Sequence, residues 1–173
     1  MGAFARPRRP VILDASVAAK WFLADDEFVA QADLVRTAML DRRVSLVAPT
    51  VLWPEVAHAL VGAVRRHRVD PETAQVISDD FRNVRQLIAE DEVDPHEAVR
   101  VALTTGVSAY DAQYLHLGIQ LDEKVLTADE RMLHQGRAHG YDVVWLGDVT
   151  LRGGVLVDTP QGYQDEGVTL PDD

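Results

Sequence analysis

The sequence contains no cysteine, which excludes disulfide cross-links and any chemistry that depends on a thiolate. It also lacks an unbroken run of about eighteen apolar residues, so no membrane-spanning helix is predicted. Arginines stand at positions 6, 8 and 9, but no apolar stretch of the kind found in secretion signals follows them. These absences predict a cytoplasmic protein that is not associated with a membrane.

Positive charge is scarce as well. The chain has 17 Lys and Arg against 28 Asp and Glu, a net charge of -11, and its only lysines are Lys20 and Lys124. Such a balance opposes loose, charge-driven attachment to nucleic acid or to anionic lipid. A role on nucleic acid would therefore need a local basic patch and a metal site. The densest basic cluster is Arg65-Arg66-His67-Arg68, which also suits the C-terminal end of a helix.

Short apolar segments at 11–13, 45–48, 124–127 and 143–146 are typical of buried strands. The stretches between them are too long for hairpins and show helical apolar spacing, which predicts a parallel sheet with helices on both faces. Along the helices at 50–67 and 70–90, this spacing predicts that Val61, Val76 and Leu87 face the core. We expect helices at 15–24, 28–41, 50–67, 70–90, 95–105, 109–121 and 129–139.

With 173 residues, of which 47% are hydrophobic, the chain fits one globular domain. We place that domain at 10–151, after a flexible N-terminal extension at 1–9. Residues 152–173 are rich in glycine, proline and acidic residues, which predicts a poorly ordered tail.

Four acidic residues stand out by their position. Asp14 ends the first predicted strand, Asp129 follows the third, and Glu55 lies in the first turn of the helix after the second. Asp111 lies in the first turn of the helix that Ser108 begins. The carboxyl ends of parallel strands meet at one edge of a sheet, so we expect these side chains to converge there.

Each acid also has a local explanation. Aspartate is a favoured N-cap, acids near a helix N-terminus offset the helix dipole, and both Ser108–Asp111 and Thr127–Glu130 resemble capping boxes. These explanations account for helix starts but not for the convergence of four acids. No basic residue stands next to Asp14, Glu55 or Asp111 in the sequence. If the four acids converge, a bound cation or raised pKa values would be needed to relieve their mutual repulsion.

Oxygen ligands of this kind favour Mg²⁺ or Mn²⁺ over zinc. The histidines show no convincing ligand spacing and are predicted to serve surface or packing roles; they are His58, His67, His96, His116, His134 and His139.

Four segments together resemble the motifs of PIN-domain ribonucleases, and the likeness is closest to the toxin half of VapBC-type toxin–antitoxin pairs. The resemblance covers about residues 10–150 and implies a PIN-like three-layer sandwich with a mostly parallel central sheet. Any one motif is weak evidence, whereas the set of four in this order is specific. The segments are Ile12–Ser16, Pro54–Val56, Ser108–Ala112 with Tyr114 and Leu115, and Leu126–Asp129.

The resemblance implies a Mg²⁺-dependent endoribonuclease that Mn²⁺ also supports, inhibited by a cognate antitoxin protein, with a homodimer also suggested. Asp14 and Asp111 correspond to the principal metal ligands, and Glu55 and Asp129 complete the catalytic set. The hydroxyls that orient these carboxylates in the family match two further residues, Ser16 and Thr127.

Other classes remain open at this point. A receiver-type signalling domain would carry adjacent acids after the first strand and a lysine at the end of a late strand, whereas Asp14 stands alone and Lys124 precedes its strand. A phosphatase of the haloacid-dehalogenase type would carry Asp-x-Asp, but Ser16 occupies the second position. A catalytically silent binding module on the same fold is the third alternative.

Overall fold

The computed structural model describes residues 9–23, 27–152 and 155–158, with side chains for 9–23 and 27–150. The described strands are β1 Val11–Leu13, β2 Leu46–Pro49, β3 Ala89–Asp91, β4 Val125–Thr127, β5 Val143–Trp145, β6 Val149–Arg152 and β7 Val155–Asp158. The helices are α1 Ala15–Ala19, α2 Val29–Leu40, α3 Leu52–Arg65, α4 Pro71–Arg85, α5 Pro95–Thr105, α6 Asp111–Leu121 and α7 Glu130–Ala138. None of these helices is long and apolar enough to cross a membrane.

A parallel sheet of five strands organises the fold, in the order β3-β2-β1-β4-β5. The predicted α/β architecture with a parallel central sheet is therefore confirmed. A receiver-type domain has the different strand order 2-1-3-4-5. The observed order thus excludes that alternative and places β1, with Asp14 at its end, in the middle of the sheet.

The centre of the sheet is buried because its strands are continuously apolar. Ile12 and Leu13 in β1 are fully buried, and α6 packs against β1, β2 and β4. Close packing of α6 requires Gly118, since a Cβ atom there would lie 2.8 Å from Val125 Cγ2. The helix that carries Asp111 is therefore fixed tightly against the strand that precedes Asp129.

Two stretches of strand were not predicted. The helix expected to reach residue 90 ends at Arg85, and Ala89–Asp91 forms the edge strand β3, in which Ala48 of β2 pairs with Glu90. Its residues have poor strand propensity, so pairing with β2 determines its conformation. The antiparallel pair β6–β7 places a strand inside the segment expected to be a tail, and the hairpin spans the proposed domain boundary. Residues 1–8 and 159–173 lie outside the described residues.

The predicted burial of Val61, Val76 and Leu87 is wrong, because all three side chains are exposed, Val76 by 68%. Val84 is the only buried residue of α4, which packs on α3 at the outside of the fold. Helical periodicity identifies an apolar face but does not show whether another element covers it.

Candidate active site

Asp14 lies where β1 ends and α1 begins, with 4% of its surface exposed. It occupies the N-cap position of α1, yet its side chain makes no capping hydrogen bond. Its Oδ2 atom instead accepts hydrogen bonds from the hydroxyls of Ser16 and Thr127, the latter at 2.7 Å. Helix capping therefore does not explain this aspartate.

The two hydroxyls connect β1 to the end of β4. Thr127 Oγ1 accepts the backbone N–H of Asp129 at 2.9 Å, and Ser16 Oγ accepts the N–H of Ala128 at 2.9 Å. Each hydroxyl thus donates to the Asp14 carboxylate and accepts from the turn that carries Asp129. This arrangement fixes the Asp14 carboxylate relative to Asp129 in the turn after β4.

Glu55 is held by a residue to which sequence reasoning assigned no role. The fully buried Tyr114 on α6 donates its hydroxyl to Glu55 Oε2 at 2.6 Å, joining α6 to α3. A signal was present, since a buried tyrosine hydroxyl needs a hydrogen-bond partner and Tyr114 follows Asp111 by three positions. The sequence did not show that the partner would be Glu55.

Asp111 and Asp129 do perform the local roles considered above. Asp111 Oδ2 accepts the Ser108 N–H at 3.2 Å, and Ser108 Oγ accepts the Asp111 N–H at 3.0 Å, which forms a reciprocal cap. Asp129 Oδ1 caps α7 through the N–H of Met132 at 2.8 Å. In each of the four acids, the other carboxylate oxygen accepts no hydrogen bond from the described residues.

The charges of the four acids act on one another. Burial raises the pKa of Asp14 to about 6, the hydroxyls of Ser16 and Thr127 oppose this rise, and the charges of Asp111 and Asp129 add to it. Burial likewise raises the pKa of Glu55 to about 7, against the Tyr114 hydrogen bond and with further repulsion from Asp14 and Asp111. None of the ion pairs found between described residues involves these acids. Within the described part of the chain, the site therefore holds negative charge without a basic partner.

The donor set fits a hard divalent cation. It consists of carboxylate oxygens, one oxygen of each is anchored by the chain, and the second is left without a partner among the described residues. Within that part of the chain, no three His, Asp or Glu side chains stand in ligating geometry as they are oriented. Binding would therefore require these side chains to move relative to one another, and Asp111 is only half-buried while Asp129 is exposed.

The structure places all six predicted site residues at the carboxyl edge of the sheet, and their individual roles stay predictions. The phosphatase alternative loses support, because Ser16 serves as a hydroxyl donor to Asp14 where that class needs a second acid.

The sequence matches the PIN domain family model over residues 11–138. A search of curated protein sequences gave no match.

Three solved structures are similar in fold. PAE2754 from Pyrobaculum aerophilum superposes with a TM-score of 0.60 at 23% identity, covering 80% of this chain and 91% of its own. VapC20 of Mycobacterium tuberculosis, a Sarcin-Ricin loop cleaving toxin, gives 0.56 at 13% identity, covering 76% and 95%. FitAcB from Neisseria gonorrhoeae gives 0.52 at 15% identity, covering 77% and 95%.

These superpositions show a shared fold, and the family match extends from β1 to the end of α7, through every acid of the site. The chain belongs to the PIN domain family.

Proposed function

We propose that this protein is a metal-dependent endoribonuclease and the toxin component of a toxin–antitoxin pair. The observation that carries the proposal is the buried Asp14 carboxylate, which two hydroxyls orient and neighbouring acids repel, while no basic residue among those described forms an ion pair with it. Buried negative charge of this kind destabilises the folded protein unless a cation is bound, and the same charge attracts a cation. PIN domains are in general nucleases, which agrees with this reading.

Mg²⁺, or Mn²⁺ in its place, would be held by Asp14 and Asp111, with Glu55 and Asp129 completing the acidic site. When bound, such a cation activates water and neutralises charge on a phosphodiester. The chain itself supplies orientation: Ser16 and Thr127 fix the direction of Asp14, and Tyr114 fixes Glu55. This positioning limits the reorganisation that ligand binding requires.

RNA is the substrate class that we propose, in keeping with the shared fold of VapC20, a Sarcin-Ricin loop cleaving toxin. The same likeness supports a cognate antitoxin as partner. We propose that the antitoxin inserts an arginine or lysine toward the four acids, since a guanidinium pairs with carboxylates bidentately. A cytoplasmic location and a homodimer belong to the same proposal.

Cleavage of labelled single-stranded RNA in the presence of Mg²⁺, Mn²⁺ or EDTA tests the proposal. Asp14→Asn and Asp111→Asn are expected to lose cleavage by at least about a hundredfold, because each removes an anionic metal ligand. The matched control is Asp79→Asn, which makes the same chemical change at an exposed position of α4 and is expected to cleave normally.

An Asp111→Asn protein that cleaves RNA at the normal rate in Mg²⁺ would show that Asp111 is not a principal ligand. Full activity of the unchanged protein in EDTA would refute the metal requirement. DNA of the same sequence, tested alongside, decides whether RNA is the substrate.

A further inference from the structure

A cavity of about 480 Å³ opens beside Glu55, between the start of α3 and the turn before α6. The metal chemistry proposed above uses only one of its lining residues, Glu55. The described residues that line it are Val51, Pro54, Glu55, His58, Ala59 and Tyr110.

Tyr110 forms one wall of this cavity. It immediately precedes Asp111, and 57% of its surface is exposed although it is a large aromatic residue. Among the described residues, its ring stacks on no other ring and its hydroxyl has no hydrogen-bond partner. The fold therefore gains little from this ring, which leaves its face available to a ligand.

His58 lies on the same side of α3 as Glu55, about one helical turn later, and its imidazole is exposed. An imidazole ring can both donate and accept hydrogen bonds. The cavity thus combines an aromatic face, apolar surface from Val51, Pro54 and Ala59, and one polar edge. These features suit a flat heteroaromatic group with polar atoms on its rim.

Electrostatics select further among such groups. Glu55 borders the cavity, and the neighbouring acids make this edge of the sheet negative, which disfavours a phosphate as the occupant. A nucleobase is uncharged and carries both a π-face and a hydrogen-bonding rim. A base seated here would place its own backbone next to the carboxylates.

We propose that this cavity binds one unpaired nucleobase of the substrate RNA next to the cleaved phosphodiester, with the base stacked on Tyr110 and its edge directed to His58. The inference rests on the proposed ribonuclease function and specifies how the substrate is positioned. Tyr110 is in this account a positioning residue, because it contacts the base and not the reacting phosphate.

The negative net charge of the protein makes an uncharged contribution to RNA binding important. At a net charge of -11, attraction to phosphate contributes less to RNA binding than it does in a basic protein. Stacking of a base on an aromatic side chain contributes affinity without charge and tolerates many sequences. A single stacking site beside the acids would also set which phosphodiester reaches them.

Fluorescence of 2-aminopurine, which is quenched when the base stacks, tests the inference by direct binding. The probe is a single-stranded RNA decamer with 2-aminopurine at its centre and randomised flanks, added to Asp14→Asn protein so that the RNA stays intact. Quenching is expected, and Tyr110→Ala in the same background is expected to abolish it and to weaken binding roughly 5- to 100-fold. Tyr110→Phe and Tyr110→Trp should both retain it.

The control is Leu103→Ala on α5, which shortens a side chain that is 82% exposed and does not line the cavity. Its quenching and affinity should equal those of the background protein. Absence of quenching, or quenching that Tyr110→Ala leaves unchanged, would overturn the proposal.

Cleavage kinetics separate this inference from the proposed function. In the protein with Asp14 intact, Tyr110→Ala is expected to raise KM by the same factor while kcat stays within a few-fold. An unchanged KM in an active enzyme refutes the base site and leaves the ribonuclease standing. Tyr110-dependent quenching in a protein that cleaves no RNA supports the base site and refutes the ribonuclease.

Discussion

Ionisation of the buried Asp14 carboxylate lowers the free energy of unfolding when no cation is bound. Burial and neighbouring acids raise its pKa from 3.8 to about 6, and Glu55 is raised in the same direction from 4.5 to about 7. Between about pH 4 and pH 7, the folded protein retains protons that the unfolded chain has released. The free energy of unfolding from these two groups therefore falls as pH rises through this window and levels off above it.

The first prediction follows from this linkage. In EDTA at pH 8, Asp14→Asn is expected to raise the free energy of unfolding by about 1–3 kcal/mol, because it removes a buried charge whose pKa shift corresponds to about 3 kcal/mol. Urea denaturation at pH 8 and pH 5 measures the effect. The advantage should shrink at pH 5, and an equal gain at both pH values would contradict the assigned cause.

The second prediction concerns Thr127, whose fully buried hydroxyl donates a hydrogen bond to Asp14 and accepts one from the Asp129 N–H. Thr127→Val keeps the shape but leaves the Asp129 N–H without its acceptor and takes from Asp14 Oδ2 one of its two hydrogen bonds, so stability should fall by about 1–3 kcal/mol and RNA cleavage with it. Thr127→Ser retains the hydroxyl and is the matched control. Equal stability of the Val and Ser proteins, measured by urea denaturation, would show that the hydroxyl makes no net contribution.

At this scale, the sequence was most informative where chemistry and position coincide. Asp14, Ser16 and Thr127 were identified as site residues from their motifs, and they lie together in the fold. The partnership of Tyr114 with Glu55 was not predicted, because it depends on how α6 lies across α3, a relation that local patterns do not encode. Tyr110 likewise gained meaning only from the cavity beside it.

Two glycines within helices have opposite surroundings. A Cβ atom at Gly118 of α6 would lie 2.8 Å from Val125 Cγ2 and 3.1 Å from the carbonyl oxygen of Glu123. At Gly62 of α3 the three nearest atoms would all belong to the Arg66 guanidinium, whose nearest nitrogen would be 3.1 Å away and which lies at the end of a flexible side chain.

We therefore expect Gly118→Ala to lower the free energy of unfolding by about 1–3 kcal/mol through overpacking. Gly62→Ala is the matched control and should raise it by about 0.5–1 kcal/mol, since alanine favours a helix. Thermal denaturation of both variants measures the difference. A stabilised Gly118→Ala protein would mean that α6 is less tightly fixed on β4 than described.

Elements with strong local signals were predicted well. The helix expected at 95–105 is observed as α5, Pro95–Thr105, and the residue that follows it, Gly106, has a positive φ of 77° that suits glycine. β3 was not predicted because its residues have low strand propensity, and they adopt the strand conformation through pairing with β2. The exposure of Val76 and Leu87 was not predicted for a related reason, since elements far away in sequence determine whether a helix face is covered.

At the scale of the whole molecule, the hairpin of β6 and β7 bears on where the domain ends. Val149 is buried, and α2 packs against both strands of the hairpin. We predict that removing residues 159–173 leaves the melting temperature within about 1–2 °C of the full chain, whereas ending the chain at Asp148 lowers it by several degrees. Thermal denaturation of both truncated proteins measures this. A large loss on removing 159–173 alone would place the domain boundary further along the chain.

The hydroxyl of Thr127 reaches Asp14 across 113 residues of sequence, and the acids of the site come from separate segments of the chain. During translation, a nascent chain that has not yet released Asp129 from the ribosome holds only part of the site and no complete sheet. The enzyme we propose therefore cannot assemble its complete site before Asp129 has left the ribosome, and a chain stopped before Asp129 lacks one of the four acids. The order of the site residues along the chain therefore determines how early in synthesis the site can form.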